Sequence, residues 1–173
     1  IHSENGIFGA GEVTSASDAD RNLIDAGGAY ISTIPGASFS DSALSFTLVR
    51  GGRLDLSFLG ALEVSECGDL ANWIIPGKFA PGIGGAMELA QKARRLVITT
   101  THTTKKGAPK ILKKCTLPIT ASGCVRMIIT ELAVIEVSSA GMILREIAEE
   151  TDLETVLRAT EAPLTVADNL LNF

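Results

Sequence analysis

The sequence predicts an α/β protein centred on a largely parallel sheet, and three stretches carry that expectation. Leu54–Val64, LDLSFLGALEV, is an apolar run dense on both faces. Such a run suits a strand buried on both sides in a parallel sheet. Phe79–Gly85, FAPGIGG, is a glycine loop that runs straight into Ala86–Ala93, AMELAQKA, a strongly helix-forming segment. Leu96–Thr101, LVITTT, is then rich in β-branched residues and reads as a strand. Strand, loop, glycine turn, helix and strand together make one βαβ unit, with a right-handed crossover expected.

The other elements follow in order. The first third is punctuated by turn signals at Asn5-Gly6, Gly9, Gly11, Gly27-Gly28 and Pro35-Gly36. Ser40–Arg53 holds an apolar run from Leu44 to Val49 closed by Gly51-Gly52, with Asp41 or Ser42 able to cap a short helix. Polar residues from Ser65 to Asn72 lead into Trp73-Ile74-Ile75-Pro76-Gly77. Cys115–Pro118 reads as short and extended. Arg126–Val137 reads as two short strands, or one bent strand, around Glu131. A helix is expected over Leu144–Glu150 and another over Asp152–Thr160, where Asp152 complements the helix dipole. The tail from Pro163 is expected to be a loop. No repeat, low-complexity tract or linker interrupts the chain, so residues 1–173 read as a single domain.

Composition narrows the function classes. With 46% hydrophobic and 20% charged residues and a mean hydropathy of +0.29, the 173-residue chain can bury a sizeable core. A net charge of −5 argues against a general nucleic-acid binder, which would show a basic face. Lysines do gather at Lys105-Lys106, Lys110 and Lys113-Lys114, either as a solvated face or as a local attraction for an anion. The three cysteines, Cys67, Cys115 and Cys124, form no Cys-x-x-Cys pair and read as free thiols in a reducing compartment. His2 and His102 add no paired ligand spacing, so no metal site is expected. No apolar run approaches the ~18 residues that span a bilayer. The expected location is the cytoplasm, or an organelle for a processed protein.

Two motifs carry chemistry. Gly82-Ile83-Gly84-Gly85 precedes a helix, where glycines let backbone N–H groups turn toward an anion or oxyanion. It lacks Gly-Lys-Ser/Thr and is not a Walker A loop; a plain tight turn is the alternative. Glu4 precedes Asn5-Gly6. It is either an exposed turn residue or a carboxylate presented at a sheet edge as base or nucleophile. Trp73 and Lys78 bracket a loop that reads as packed. Glu63, Glu66 and Asp69 form an acidic cluster that reads as a solvated rim.

The joint pattern is more specific than its pieces. Ser3-Glu4-Asn5-Gly6, Pro35-Gly36-Ala37-Ser38, Arg50-Gly51-Gly52, Gly68–Lys78 (GDLANWIIPGK), Gly84-Gly85-Ala86-Met87 and Ile128–Val134 occur in order along nearly the whole chain. Together they resemble the family I coenzyme A transferases, specifically the β subunit of the 3-oxoacid enzymes. The resemblance implies the CoA-transferase fold, related to sugar-phosphate isomerases, with helices flanking the sheet. It implies a ping-pong transfer of coenzyme A through a covalent glutamyl–CoA thioester, with Glu4 as nucleophile. It further implies Gly85 as the backbone N–H donor to the oxyanion. Asn5, Gly6, Gly82, Ile83 and Gly84 would then line the CoA channel. Coenzyme A is implied as co-substrate, with no metal or permanent cofactor.

The implied partner is an α-type subunit in an α2β2 assembly, with no nucleic acid and no membrane. Family subunits carry a further helix and strand ahead of the Ser-Glu-Asn-Gly motif, so the chain is expected to lack an N-terminal segment. The sequence departs from the family at Gly28, where a lysine is usual, at Glu88 for aspartate, and at Thr101 for an acid. These positions leave the acyl substrate open, with acetoacetate the default. A non-catalytic acyl-CoA or sugar-phosphate binding subunit of the same fold is the alternative reading.

Overall fold

The computed structural model describes residues 1–78 and 82–173, and these divide into two compact units, residues 1–53 and 54–173. The expected glycine loop therefore begins outside the described residues, at Phe79, Ala80 and Pro81.

The first unit is an antiparallel sheet in the order β1 (His2–Ser3), β2 (Ile7–Val13), β3 (Ile31–Phe39), followed by helix α1 (Ser42–Arg50). Asn5-Gly6 is a turn as expected, but Gly9 and Gly11 lie inside β2 and Pro35-Gly36 inside β3. Proline is tolerated there because residues 34–37 fall in a register irregularity opposite β2, and among the described residues β3 is an edge strand. The small core is Ile7, Ala10 and Ile31, with Leu23 packed against it. Asp41 is the residue that caps α1, its carboxylate accepting from the Leu44 N–H at 2.8 Å.

The second unit is built on a six-stranded sheet. Its members are β4 (Leu56–Leu59), β7 (Arg95–Thr99), β9 (Val125–Ile129), β10 (Ala133–Ser138), β11 (Gly141–Ile147) and β12 (Leu164–Asn172), paired in the order β12-β11-β10-β9-β7-β4. Strands β4, β7 and β9 are mutually parallel, β10 is antiparallel to both its neighbours, and β12 is parallel to β11. A smaller sheet joins β6 (Leu70–Ala71), β5 (Glu63–Ser65) and β8 (Ile111–Leu112). Helix α2 (Ala86–Lys92) lies between β4 and β7 in sequence and completes the expected βαβ unit, and α3 (Leu153–Ala159) is the expected late helix, capped by Asp152. The fold is thus the expected α/β class with a largely parallel central sheet.

Three further expectations fail. The run Leu54–Val64 is not one strand buried on both faces. It breaks at Gly60-Ala61-Leu62 into β4 and β5, which belong to different sheets. Leu56 and Phe58 share one face of β4 and are exposed, whereas Ser57 on the opposite face is buried. The chain turns away after β4 because other elements take up its polar groups. The Gly60 carbonyl accepts from Asn72, the Ala61 carbonyl from Thr100, and the Leu62 N–H donates to Ala71.

The helix expected over Leu144–Glu150 is instead β11 and the turn after it. Helix-forming residues here are overridden by pairing on both sides, with Met142 and Leu144 inward in the core. Arg145 on the outward face reaches Glu136 of β10 at 2.8 Å. The tail expected as a loop is β12, whose backbone completes β11. By contrast, Arg126–Val137 does form two strands around Glu131. The core of this unit interleaves Leu96 and Ile98 of β7, Ile128 of β9, Ile135 of β10 and Val156 of α3.

Candidate functional site

Glu4 stands on the turn between β1 and β2. Ser3 pairs with Ile7 across the hairpin, and the Gly6 N–H donates to the Ser3 carbonyl at 3.0 Å, which closes a β-turn with Glu4 and Asn5 at its centre. Gly6 has φ of +112°, and a Cβ there would overlap the Ser40 carbonyl oxygen. Only glycine fits both constraints. The turn is tied to its surroundings on several sides. Buried Ser3 accepts from the Ala26 N–H at 2.9 Å, the Asn5 side-chain amide donates to the Ile24 carbonyl at 2.6 Å, and the Ser40 N–H donates to the Gly6 carbonyl at 2.9 Å. Ser45 of α1 donates to the Glu4 carbonyl at 2.8 Å. Among the described residues, the Glu4 carboxylate itself has no hydrogen bond and no ion pair.

The structure therefore gathers Glu4, Asn5 and Gly6 on one rigid turn. Gly28 lies in the neighbouring arm, where the Asp25 carboxylate accepts from the N–H groups of Gly27 and Ala29, both at 2.8 Å. Sequence reasoning missed Ser45, His2 and Ser40 as supports of this turn. Ser45 is remote from Glu4 along the chain and sits in an ordinary apolar helix pattern, so no local signal marks it.

Gly82, Ile83, Gly84 and Gly85 lie in the second unit, immediately before α2. Gly82 and Gly84 have φ of +114° and +55°, and no atom among the described residues lies within 4 Å of where a Cβ would stand. Gly85 is the N-cap of α2, and its carbonyl accepts from the Leu89 N–H. Among the described residues the Gly85 N–H has no acceptor. Among the described residues, the segment thus has the backbone freedom and a donor without an acceptor, both of which suit an oxyanion site.

Other sequence candidates are structural. Glu63 accepts from the Thr116 N–H and hydroxyl, both at 2.7 Å, and from the Leu117 N–H at 2.9 Å. Asp69 accepts from the Gly123 N–H and from Ser65. These carboxylates fasten loops, so they are not the solvated rim expected. Lys105 and Lys106 are exposed at a hairpin tip closed by the Thr103–Pro109 bridge, whereas Lys110 donates to the hydroxyls of Thr100 and Thr101, both at 2.9 Å. Thr101, a position of departure from the family pattern, thereby holds a lysine. Trp73 places its indole N–H in a buried position without an acceptor among the described residues.

His102 is fully buried. Its Nδ1 lies 2.8 Å from the Thr130 hydroxyl and its Nε2 2.8 Å from the Thr160 hydroxyl. Burial lowers its pKa from the ordinary value, against a smaller opposing effect of Glu131. Cys115 and Cys124 are pushed up to about 12 and about 11, chiefly by burial, and Cys67 is exposed. An open cleft of about 390 Å³ runs between Glu66, Cys67, Ser138, Met142 and Thr165, and none of Glu4, Asn5, Gly6 or Gly82–Gly85 lines it. No helix among the described residues is long and apolar enough to cross a membrane.

Comparison with known proteins bears on these features. A family model described as coenzyme A transferase matches residues 1–159. The chain is 48% identical over 166 residues to a probable coenzyme A transferase subunit beta of Bacillus subtilis, covering 96% of this chain and 76% of that protein. It is 47% identical over 170 residues to the acetate CoA-transferase subunit beta of Escherichia coli K12, covering 98% and 77%. Among solved structures, an acyl-CoA transferase of Escherichia coli O157:H7, described as a thioester complex with CoA, superposes with a TM-score of 0.76 at 22% identity. That match covers 98% of this chain and 34% of the other. It speaks to the fold alone.

Proposed function

Given that the chain belongs to the coenzyme A transferase family, as a subunit of the β (B) type that transfers coenzyme A between an acyl-CoA and a carboxylic acid, we propose that Glu4 is the nucleophile of a ping-pong reaction. The observation that carries this reading is the turn at Ser3–Gly6. The turn is tied through backbone and side chains to three other segments, while the Glu4 carboxylate is engaged by nothing among the described residues. A carboxylate that must attack needs a fixed origin and an unoccupied lone pair.

In the proposed first step a Glu4 carboxylate oxygen attacks the thioester carbonyl of the acyl-CoA. A C–O bond forms, the C–S bond breaks, and CoA leaves as thiolate. The thiolate then attacks the glutamyl carbonyl of the mixed anhydride. A new C–S bond forms and the anhydride C–O bond breaks, which releases the first acid as its carboxylate with one oxygen from Glu4. The product is a glutamyl–CoA thioester. A second carboxylate reverses the sequence and leaves as its CoA ester, so no proton is gained or lost. Each attack passes through an oxyanion, and the Gly85 N–H is proposed as a donor to it. Gly82, Ile83 and Gly84, with Asn5 and Gly6, are proposed to line the CoA channel. The working enzyme is proposed to pair this chain with an α-type subunit in an α2β2 assembly and to use a short 3-oxo acid as one substrate.

The test uses the chain assembled with its partner subunit, incubated with acetyl-CoA, acetoacetyl-CoA or succinyl-CoA and no acceptor acid. Borohydride reduction and peptide mass mapping then locate any thioester. Modification confined to Glu4, and absent from Glu4→Gln, is expected. CoA binding that leaves Glu4 unmodified in the active assembly would overturn the reading in favour of a non-catalytic binding subunit.

A further inference from the structure

Ser45 is fully buried in α1, an unusual place for a hydroxyl unless its hydrogen-bonding capacity is met. Both contacts of its hydroxyl belong to the hairpin that carries Glu4. Its hydroxyl donates to the Glu4 carbonyl at 2.8 Å, and the same oxygen lies 2.8 Å from His2 Nε2. Because the single hydroxyl proton goes to Glu4, the His2 contact has Nε2–H as donor. The imidazole is held in turn by stacking on Phe8, with ring centroids 4.8 Å apart and planes inclined by 23°. His2 and Phe8 are opposite partners of the same hairpin, one on each side of the Glu4 turn. The hydroxyl is therefore aimed by β1 and β2 and braced by α1, whose N-terminus is capped by Asp41.

The bond falls on the most mobile element of a β-turn. In the turn Ser3-Glu4-Asn5-Gly6, the peptide between Glu4 and Asn5 is the central one. The common turn types differ by a flip of that peptide, with the third residue of the turn taking positive φ in the flipped form. Asparagine tolerates that conformation better than most residues, so the sequence alone leaves the flip accessible. The structure holds the unflipped form, because among the described residues no residue other than glycine has positive φ.

In a trans peptide the C=O and N–H point in opposite directions. With the Glu4 carbonyl held on Ser45, the Asn5 N–H faces away from α1, and among the described residues it has no acceptor.

We propose that Ser45, braced by His2, is a positioning residue for the transfer reaction. Its hydroxyl locks the Glu4–Asn5 peptide, and with it the backbone ψ of the nucleophile and the outward direction of the Asn5 N–H. The inference rests on the reading of Glu4 as nucleophile. It assigns the turn's precision to a side chain from a different element, and it gives Ser45 no contact with substrate. The orientation it protects matters twice in each turnover, when the carboxylate attacks and when the glutamyl carbonyl is attacked.

The test is the half-reaction of the assembled enzyme with succinyl-CoA or acetyl-CoA, whichever labels the unmodified enzyme, in the absence of acceptor acid. Both the rate constant and the final amount of Glu4 thioester are read by peptide mass. Ser45→Ala is expected to lower the rate constant by about 10- to 100-fold at saturating acyl-CoA, as for a misplaced reacting group. The final labelling per site and the acyl-CoA concentration at half-saturation should stay unchanged. Labelling at the unmodified rate to the full amount would overturn the proposal. A reduced amount of label, formed at the unmodified rate, would also overturn it, since that pattern marks a loss of folded sites and no change in positioning.

Should Ser45→Ala fail to assemble, His2→Phe decides. That variant keeps an aromatic ring beside Phe8 and removes the Nε2–H donor to Ser45. A several-fold slower rate with full labelling supports the proposal, and an unchanged rate overturns it. Glu4→Gln separates the two levels. If that variant is still labelled, the nucleophile assignment itself is wrong. If it is inert while Ser45→Ala labels normally, only the positioning role is wrong.

Discussion

The imidazole of His102 bridges two hydroxyls, Thr130 before β10 and Thr160 after α3, each at 2.8 Å. The Thr160 hydroxyl donates in turn to the Val156 carbonyl at 2.8 Å, so it accepts from His102 Nε2–H, and Thr130 serves Nδ1. The Glu131 carboxylate accepts from the His102 backbone N–H at 2.9 and 3.1 Å. One residue thus fastens the end of β7 to the β9–β10 turn and to the last helix.

Removing that bridge takes one partner from each of two buried hydroxyls, which keep their bonds to the Val156 carbonyl and to the Leu132–Ala133 backbone, and it leaves a cavity. His102→Ala is expected to cost about 3 kcal/mol, from lost hydrogen bonds and packing combined. Urea unfolding followed through the second unit measures it, and a loss below about 1 kcal/mol, the net worth of a single hydrogen bond, would contradict the assigned role.

The same residue sets a pH dependence. Burial lowers the folded-state pKa of His102 below the ordinary 6.5. Between those two values the unfolded chain binds a proton that the folded chain does not. Stability is therefore full above pH 6.5 and falls as the pH drops through the window below it. His2, also lowered by burial, adds to the same trend. A His102→Asn variant is expected to show a shallower slope between pH 7 and pH 5, measured by chemical denaturation.

Gly6→Ala tests the turn from the other side. An alanine there would take φ of +112° and meet the Ser40 carbonyl. The left-handed penalty alone is about 1–2 kcal/mol, and the steric overlap adds to it. The expected result is a lowered melting temperature of the assembled enzyme together with loss of Glu4 labelling.

Asp41→Ala removes the cap of the helix that carries Ser45. The expected cost is about 1 kcal/mol. Amide hydrogen exchange should rise at Leu44 and Ser45, and an unchanged exchange rate there would rule out the cap as a support.

Cysteine reactivity should follow burial. Cys67 is exposed, whereas Cys115 and Cys124 are held protonated to about 12 and about 11. Iodoacetamide at pH 7.5 is expected to label Cys67 alone in the folded protein and all three cysteines after denaturation, as read by peptide mass.

Periodicity and turn chemistry carried much of this protein on their own. The βαβ unit, the helix after Asp41, the paired strands around Glu131 and the helix after Asp152 are all readable, because each is specified by residues within a few positions of one another. The ordered motifs from Ser3-Glu4-Asn5-Gly6 to Ile128–Val134 likewise pointed to the family without any coordinates.

Tertiary structure decided what depends on distant partners. Leu144–Ile147 is built of residues that suit a helix, yet β10 and β12 on either side make it a strand. Leu54–Val64 is one apolar run, yet hydrogen bonds donated by Asn72 and Thr100 and accepted by Ala71 divide it between two sheets. The carboxylates Glu63 and Asp69 look like a solvated rim until the loops they hold, far along the chain, are brought against them. Most of all, nothing near Glu4 in the sequence names Ser45. Its hydroxyl becomes a support for the turn only when α1 packs on the hairpin, since a hydrogen bond requires proximity in space and is indifferent to separation along the chain.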